Sequence, residues 1–251
     1  MAKSATARSK PTPTAVVFGV GAATGLGAAL ARRFAREGLR VFVVGRTKAK
    51  VNAVADKIQQ AGGKAEARVA DVTLEKDVIA LLDEASAKAS LELVAYNVGN
   101  NVAAPLLDLS TEVFEAAWRQ NGLGGFIVGR EAVRRMSPQG HGTLLFTGAT
   151  ASLRARQPFT AFAAAKASLR ALAQGMAREF GPRGIHVAHV VIDGVIEGDY
   201  AKRRFPDFVK AKGKDGLLKV DEIAEVYLAL HKQSKSAWTH ELDLRPFKET
   251  F

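Results

Sequence analysis

The 251-residue sequence contains no cysteine, only 2 Trp and 3 Tyr, and 25 acidic residues against 36 basic ones. Without cysteine there is no disulfide, no thiol nucleophile and no thiolate metal site. No apolar run approaches the ~18 residues of a membrane span, and no signal-peptide pattern opens the chain, so a cytoplasmic location is expected. No His/Asp/Glu set has metal-ligand spacing, and no metal is expected. The remaining composition, 47% hydrophobic and 24% charged, is that of an ordinary globular protein.

The formal net charge is +11. Lys3, Arg8 and Lys10 fall in residues 1–14, which are small, polar and Pro-containing and read as a flexible N-terminal arm. The basic excess favours anionic ligands such as phosphorylated cofactors, while no nucleic-acid motif accompanies it.

Beyond the arm, residues 15–251 read as one domain. Apolar runs at 15–20, 40–44, 65–70, 92–97, 143–147, 185–192 and 239–244 read as strands, several of them continuously apolar and rich in Val or Ile. Such runs suit strands covered on both faces. Helical patterns near 25–37, 48–61, 74–89, 110–136, 159–180 and 220–231 lie between them. The last carries Ile223, Val226, Tyr227 and Leu230 on one face. Strands alternating with helices predict a Rossmann-like, doubly wound parallel sheet of about seven strands.

The first strand runs into Gly21-Ala-Ala-Thr24-Gly25-Leu26-Gly27, and a helix follows at once. Small residues there let a backbone approach a pyrophosphate, and the helix N-terminus offers free N–H groups and the positive end of its dipole. The competing reading is a tight strand-to-helix turn. After the second strand the sequence reads Val44-Gly45-Arg46-Thr47-Lys48. A dinucleotide site selective for NAD usually places an acid there for the ribose 2′-hydroxyl. Arg46, Thr47 and Lys48 instead suit a 2′-phosphate, which predicts NADP(H) in preference to NAD(H).

With these stations in order, the chain resembles the short-chain dehydrogenase/reductase family over nearly all of residues 14–245. Asp71-Val72 resembles the adenine-contacting pair after the third strand. Tyr96-Asn97-Val98-Gly99 stands at the Asn-Asn-Ala-Gly turn after the fourth. Asn121 resembles the helix asparagine that anchors a proton-relay water, and Lys166 the lysine four residues after the catalytic tyrosine. Asp193-Gly194-Val195-Ile196 falls at the Pro-Gly segment before the nicotinamide, with Ile196 as the nicotinamide contact. Asp193 departs from that pattern, as does Gly198 at the position of a threonine.

The resemblance implies hydride transfer between a nicotinamide and a small carbonyl or alcohol substrate. It also implies two losses. The tyrosine position is Phe162, and the serine thirteen residues earlier is Ala149. Phe is Tyr without the reactive atom, so an unmodified copy of the family's proton transfer is excluded, while Asn121 and Lys166 remain as catalytic residues. Thr150 or Ser152 stands near enough to substitute for the serine, and Tyr200 is the one tyrosine with reach toward the pocket. His186 and His189, at odd spacing on one strand, read as satisfied sheet histidines on opposite faces.

Residues 199–216 read as a substrate lid. It carries Lys202, Arg203, Arg204, Lys210, Lys212 and Lys214 beside Phe205, Phe208 and Val209; as a lid it favours an anionic or partly apolar ligand, and the stronger competing reading is a solvated amphipathic helix. The family's mode of assembly through the 110–136 and 159–180 helices implies a homodimer or homotetramer. Three functions stay open: an NADP(H) oxidoreductase with atypical proton transfer, a catalytically inactive NADP(H)-binding sensor or structural subunit, and an anion or nucleic-acid binder using the basic lid and arm.

Overall fold

The computed structural model describes residues 11–87, 89–99 and 101–249. Seven parallel strands form one sheet among the described residues: β1 (Thr14–Phe18), β2 (Arg40–Gly45), β3 (Lys64–Val69), β4 (Leu91–Tyr96), β5 (Gly142–Thr147), β6 (Ile185–Ile192) and β7 (Glu241–Leu244), in the order β3-β2-β1-β4-β5-β6-β7. Parallel neighbours need crossovers, and the helices supply them: α1 (Leu26–Arg36), α2 (Lys48–Gln60), α3 (Glu75–Ser86), α4 (Thr111–Trp118), α5 (Gly124–Met136), α6 (Thr160–Phe180), α7 (Asp199–Arg204), α8 (Pro206–Lys212) and α9 (Val220–His231).

The period-2 geometry of a strand explains why β1 needs apolar residues at every position. Ala15 and Val17 join the core beneath α1, α2 and α9, while Val16 and Phe18 join the one beneath α3, α5 and α6. The strand order reverses between β1 and β4, and the carboxyl ends of the strands open a crevice there.

Three boundaries differ from the sequence reading. Thr14 is 2% exposed and pairs with Arg40, so the expected arm ends one residue earlier, and its first ten residues lie outside the described ones. The 239–244 strand shortens to Glu241–Leu244. The expected single helix over 110–136 is broken by a π-turn at Arg119–Leu123. An extra residue in one turn frees a backbone carbonyl, and that of Gln120 accepts the Tyr96 hydroxyl. Tyr96 is thus a buried clamp on the turn that carries Asn121.

One buried polar contact ties α9 to the carboxyl end of β5. Thr147 Oγ1 and Tyr227 Oη, both buried, lie 2.7 Å apart. Tyr227→Phe leaves the threonine hydroxyl unpaired, and we expect it to lower unfolding stability by about 1–2 kcal/mol, read as a lower urea midpoint at unchanged slope. An unchanged midpoint would remove this contact from the account of the fold.

Candidate functional site

A groove of about 270 Å³ opens over the β1–β4 switch point. Of the residues selected from sequence, it brings together Gly21, Arg46, Thr47, Asp71, Val72, Asn97 and Gly99. Thr24, Gly25, Leu26, Gly27, Asn121, Lys166 and Ile196 do not line it. Gly25 is the N-cap of α1 and Leu26 its first residue, with no acid in the first turn and no side chain capping its N–H groups.

The backbone beside this groove is close-packed. Gly19 has φ +84°, and a Cβ on it would lie 2.4 Å from the Asn97 carbonyl oxygen. Only glycine allows β1 and β4 to release their chains side by side there. Gly21 faces open space, with nothing within 4 Å of a Cβ position. That opening beside uncapped helix N–H groups fits a pyrophosphate.

At the far end of the groove, Arg46, Thr47 and Lys50 are exposed. Arg46 has no hydrogen-bond or ion-pair partner among the described residues. Thr47 caps α2 without using its hydroxyl. Lys50 was missed in the sequence, where Lys48 was the third candidate. Four residues from Arg46, it lies one helical turn along, and that spacing was the available signal. Burial acts to raise the Asp71 pKa. The hydrogen bonds from Thr73 N–H (2.9 Å) and Oγ1 (2.8 Å), with the charges of Arg46 and Arg119, outweigh it and hold the carboxyl below its ordinary value.

Lys166 and Asn121 lie behind this groove, and Gly99 marks their meeting point. A Cβ on Gly99 would be 2.9 Å from Lys166 Nζ and 3.4 Å from Asn121 Oδ1. Asn121 donates to the Ala117 carbonyl (2.9 Å), while its buried Oδ1 has no partner. Lys166 is 4% exposed and donates to the carbonyls of Thr147 (2.9 Å) and Val98 (3.3 Å). Two of its three ammonium protons are therefore committed. Phe162, one turn earlier on α6, places its ring centroid 5.9 Å from Nζ. Burial lowers the Lys166 pKa to about 8.

The remaining candidates sort by contact. Tyr200 is 66% exposed on α7 and stacks edge-on against Phe205. Ser152 is buried, its Oγ accepting from Ala149 N–H (3.1 Å). Thr150 Oγ1 donates to Asp193. Ile196 bridges to Leu218. Thr24 Oγ1 donates to Asp199 Oδ2 (2.8 Å), joining the glycine loop to the start of the expected lid, which forms two short helices, α7 and α8. His186 fits the reading of a satisfied sheet histidine: it contacts the Thr239 carbonyl, is hydrogen-bonded with the Leu230 backbone and stacks on Trp238. His189 does not fit it, since Nδ1 meets Glu241 (2.9 Å) but Nε2 has no partner among the described residues.

The short chain dehydrogenase family pattern matches residues 15–207. The uncharacterized oxidoreductase YuxG of Bacillus subtilis is 34% identical over 71% of this chain, although the match spans 26% of that relative. A short-chain dehydrogenase structure from Rhodopseudomonas palustris is 40% identical, with a TM-score of 0.81, covering 94% of this chain and 99% of the other. The structure of a gluconate 5-dehydrogenase from Burkholderia cenocepacia in complex with NADP and tartrate superposes with a TM-score of 0.80 at 24% identity, covering 95% of each chain. Among the described residues no helix is long and apolar enough to cross a membrane.

The buried ammonium makes stability depend on pH. The folded pKa of Lys166, about 8, lies below the ordinary lysine value of 10.5, so between these values the unfolded chain binds more protons. This group's contribution therefore rises with pH from about 8 to 10.5. The difference in unfolding free energy between the wild type and Lys166→Met should grow across that window. A difference constant from pH 7 to 10.5 would show that the folded lysine titrates normally.

Proposed function

The chain belongs to the short-chain dehydrogenase family, and we propose that within it the protein is an NADP(H)-dependent oxidoreductase acting on a small alcohol or carbonyl compound, with altered proton transfer. The observation that carries this reading is the groove itself: glycine-lined at Gly21, flanked by uncapped N–H groups of α1, and ending at Arg46, Thr47 and Lys50. A nicotinamide dinucleotide supplies a hydride donor or acceptor when bound. The chain's own residues do the rest. The N–H groups of Leu26 and Gly27 would take the pyrophosphate, and Asp71 and Val72 would flank the adenine. Asn97, Gly99 and Ile196 would border the nicotinamide half. Lys166, with one ammonium proton uncommitted, would hold the nicotinamide ribose.

The preference for NADP(H) rests on charge. An acid at the end of β2 would repel a 2′-phosphate, and here an unpaired guanidinium and a lysine stand there instead. The fold neighbour that holds NADP supports the same choice. A charge-assisted hydrogen bond contributes about 1.5–3 kcal/mol, so Arg46→Ala should weaken NADPH binding by roughly 10–100-fold and leave NADH binding nearly unchanged. Fluorescence titration of both cofactors reads this directly. Equal NADPH and NADH affinities in the wild type would remove the preference, and binding of neither would end the oxidoreductase reading.

Proton transfer is where this chain departs from its relatives' chemistry. Phe162 and Ala149, read as the tyrosine and serine positions, carry no hydroxyl. Phe162→Tyr with Ala149→Ser should therefore raise kcat by ~10²-fold or more, the usual range for a positioned general acid. A double variant no faster than wild type would count against the assignment of those two positions. NADPH binding without turnover in the wild type, rescued by the double variant, would favour a nucleotide-binding protein with a disabled site. We also propose self-association through α4 and α5, where Val113, Phe114, Trp118 and Phe126 are exposed.

A further inference from the structure

The carboxyl ends of β5 and β6 lie side by side, and just beyond them two residues meet that neither strand needs. Thr150 Oγ1 donates to Asp193 Oδ1 at 2.5 Å. Asp193 is 6% exposed, and its Oδ2 accepts from Arg245 Nη2 at 2.6 Å. Arg245 also reaches Asp243 at 2.7 Å. The backbone N–H of Asp193 already ties β6 to β7 through the Leu244 carbonyl (2.8 Å). Holding the strands together therefore does not require a carboxylate. Burying one is unfavourable unless it is paired.

The location gives the pair a use. Thr150 follows Ala149 directly, and Thr147, three residues before it, accepts from Lys166. Thr150 is half-buried on the side of the sheet where ligands bind in folds of this kind. With its proton committed to Asp193, its oxygen presents lone pairs only. Such an oxygen accepts a hydrogen bond from an alcohol and offers none to a ketone.

We propose that Thr150, backed by Asp193, accepts the proton when this protein oxidises an alcohol, replacing the hydroxyls absent at Ala149 and Phe162. The proposal rests on the NADP(H) oxidoreductase reading above. The alcohol C–H bond breaks with its electron pair passing as hydride to the oxidised nicotinamide dinucleotide. The alcohol O–H proton passes to Thr150 Oγ1 as the threonine's own proton passes to Asp193 Oδ1. A carbonyl compound, the reduced dinucleotide and one proton on Asp193 result, and solvent takes that proton. Arg245 keeps Asp243 as an anionic partner while Asp193 is neutral. Substrates are therefore alcohols, and reduction of a ketone has to wait until Asp193 is protonated.

The test uses the full chain and three variants: Thr150→Val, Thr150→Ser and Asp193→Asn. Each is titrated with NADPH, then assayed with NADP and a panel of primary, secondary and polyhydroxy-acid alcohols. We expect Thr150→Val and Asp193→Asn to lower kcat by ~10²-fold or more, with KM and NADPH affinity within about threefold. Thr150→Ser should keep kcat within about fivefold of wild type, since it retains the oxygen. In the protein alone, proton NMR should show an exchange-protected Thr150 hydroxyl resonance that Thr150→Val abolishes and Asp193→Asn shifts. If Asp193→Asn does not fold, the valine and serine contrast decides. Wild-type kcat in Thr150→Val overturns the proposal, as does a wild type that binds NADPH yet oxidises no alcohol. Absence of NADPH binding instead overturns the reading on which the proposal stands.

Discussion

The site is organised around one buried ammonium. Lys166 has no carboxylate partner among the described residues and is held by two backbone carbonyls, those of Thr147 and Val98. Thr147 is the last residue of β5 and Val98 lies two residues beyond β4, so the lysine ties α6 to the chain at the carboxyl ends of two neighbouring strands. Desolvation opposes its charge and lowers its pKa, and the third proton remains available. The Tyr227–Thr147 contact and the Tyr96 clamp on the π-turn hold the same carbonyl edge from the two faces of the sheet.

The division of labour along the crevice follows from that arrangement. Toward β2 the groove is glycine-lined and cationic, which suits a phosphorylated dinucleotide. Outside the lining of that groove, just beyond the carboxyl ends of β5 and β6, lies the hydrogen-bonded set of Thr150, Asp193 and Arg245. Asn121 and Lys166 converge at Gly99, on the groove's wall.

Much of this was legible in the sequence because it depends on local patterns. Strand positions followed from apolar runs, and α9 was placed at its residues by the spacing of Ile223, Tyr227 and Leu230. The glycine loop and Arg46 were readable because their chemistry depends on neighbours only a few residues away. The π-turn was not, since it depends on Tyr96 reaching Gln120 across 24 residues. His189 shows the same limit. Its position on β6 was evident, but its partner Glu241 lies 52 residues further on, and a free Nε2 leaves no trace in the sequence.

Asp193 shows how a departure from a family pattern becomes informative once its contacts are known. Read in sequence, it was a lost proline ahead of the nicotinamide segment. In the structure it is a nearly buried carboxylate with a threonine hydroxyl on one oxygen and an arginine on the other. On the proposed assignment, Ala149 and Asp193 follow the carboxyl ends of β5 and β6, and Phe162 lies in the first turn of α6. A positioned hydroxyl serves both directions of hydride transfer, as acid in one and base in the other, so on the proposed reading the ion-paired carboxylate behind Thr150 takes over the base's part alone.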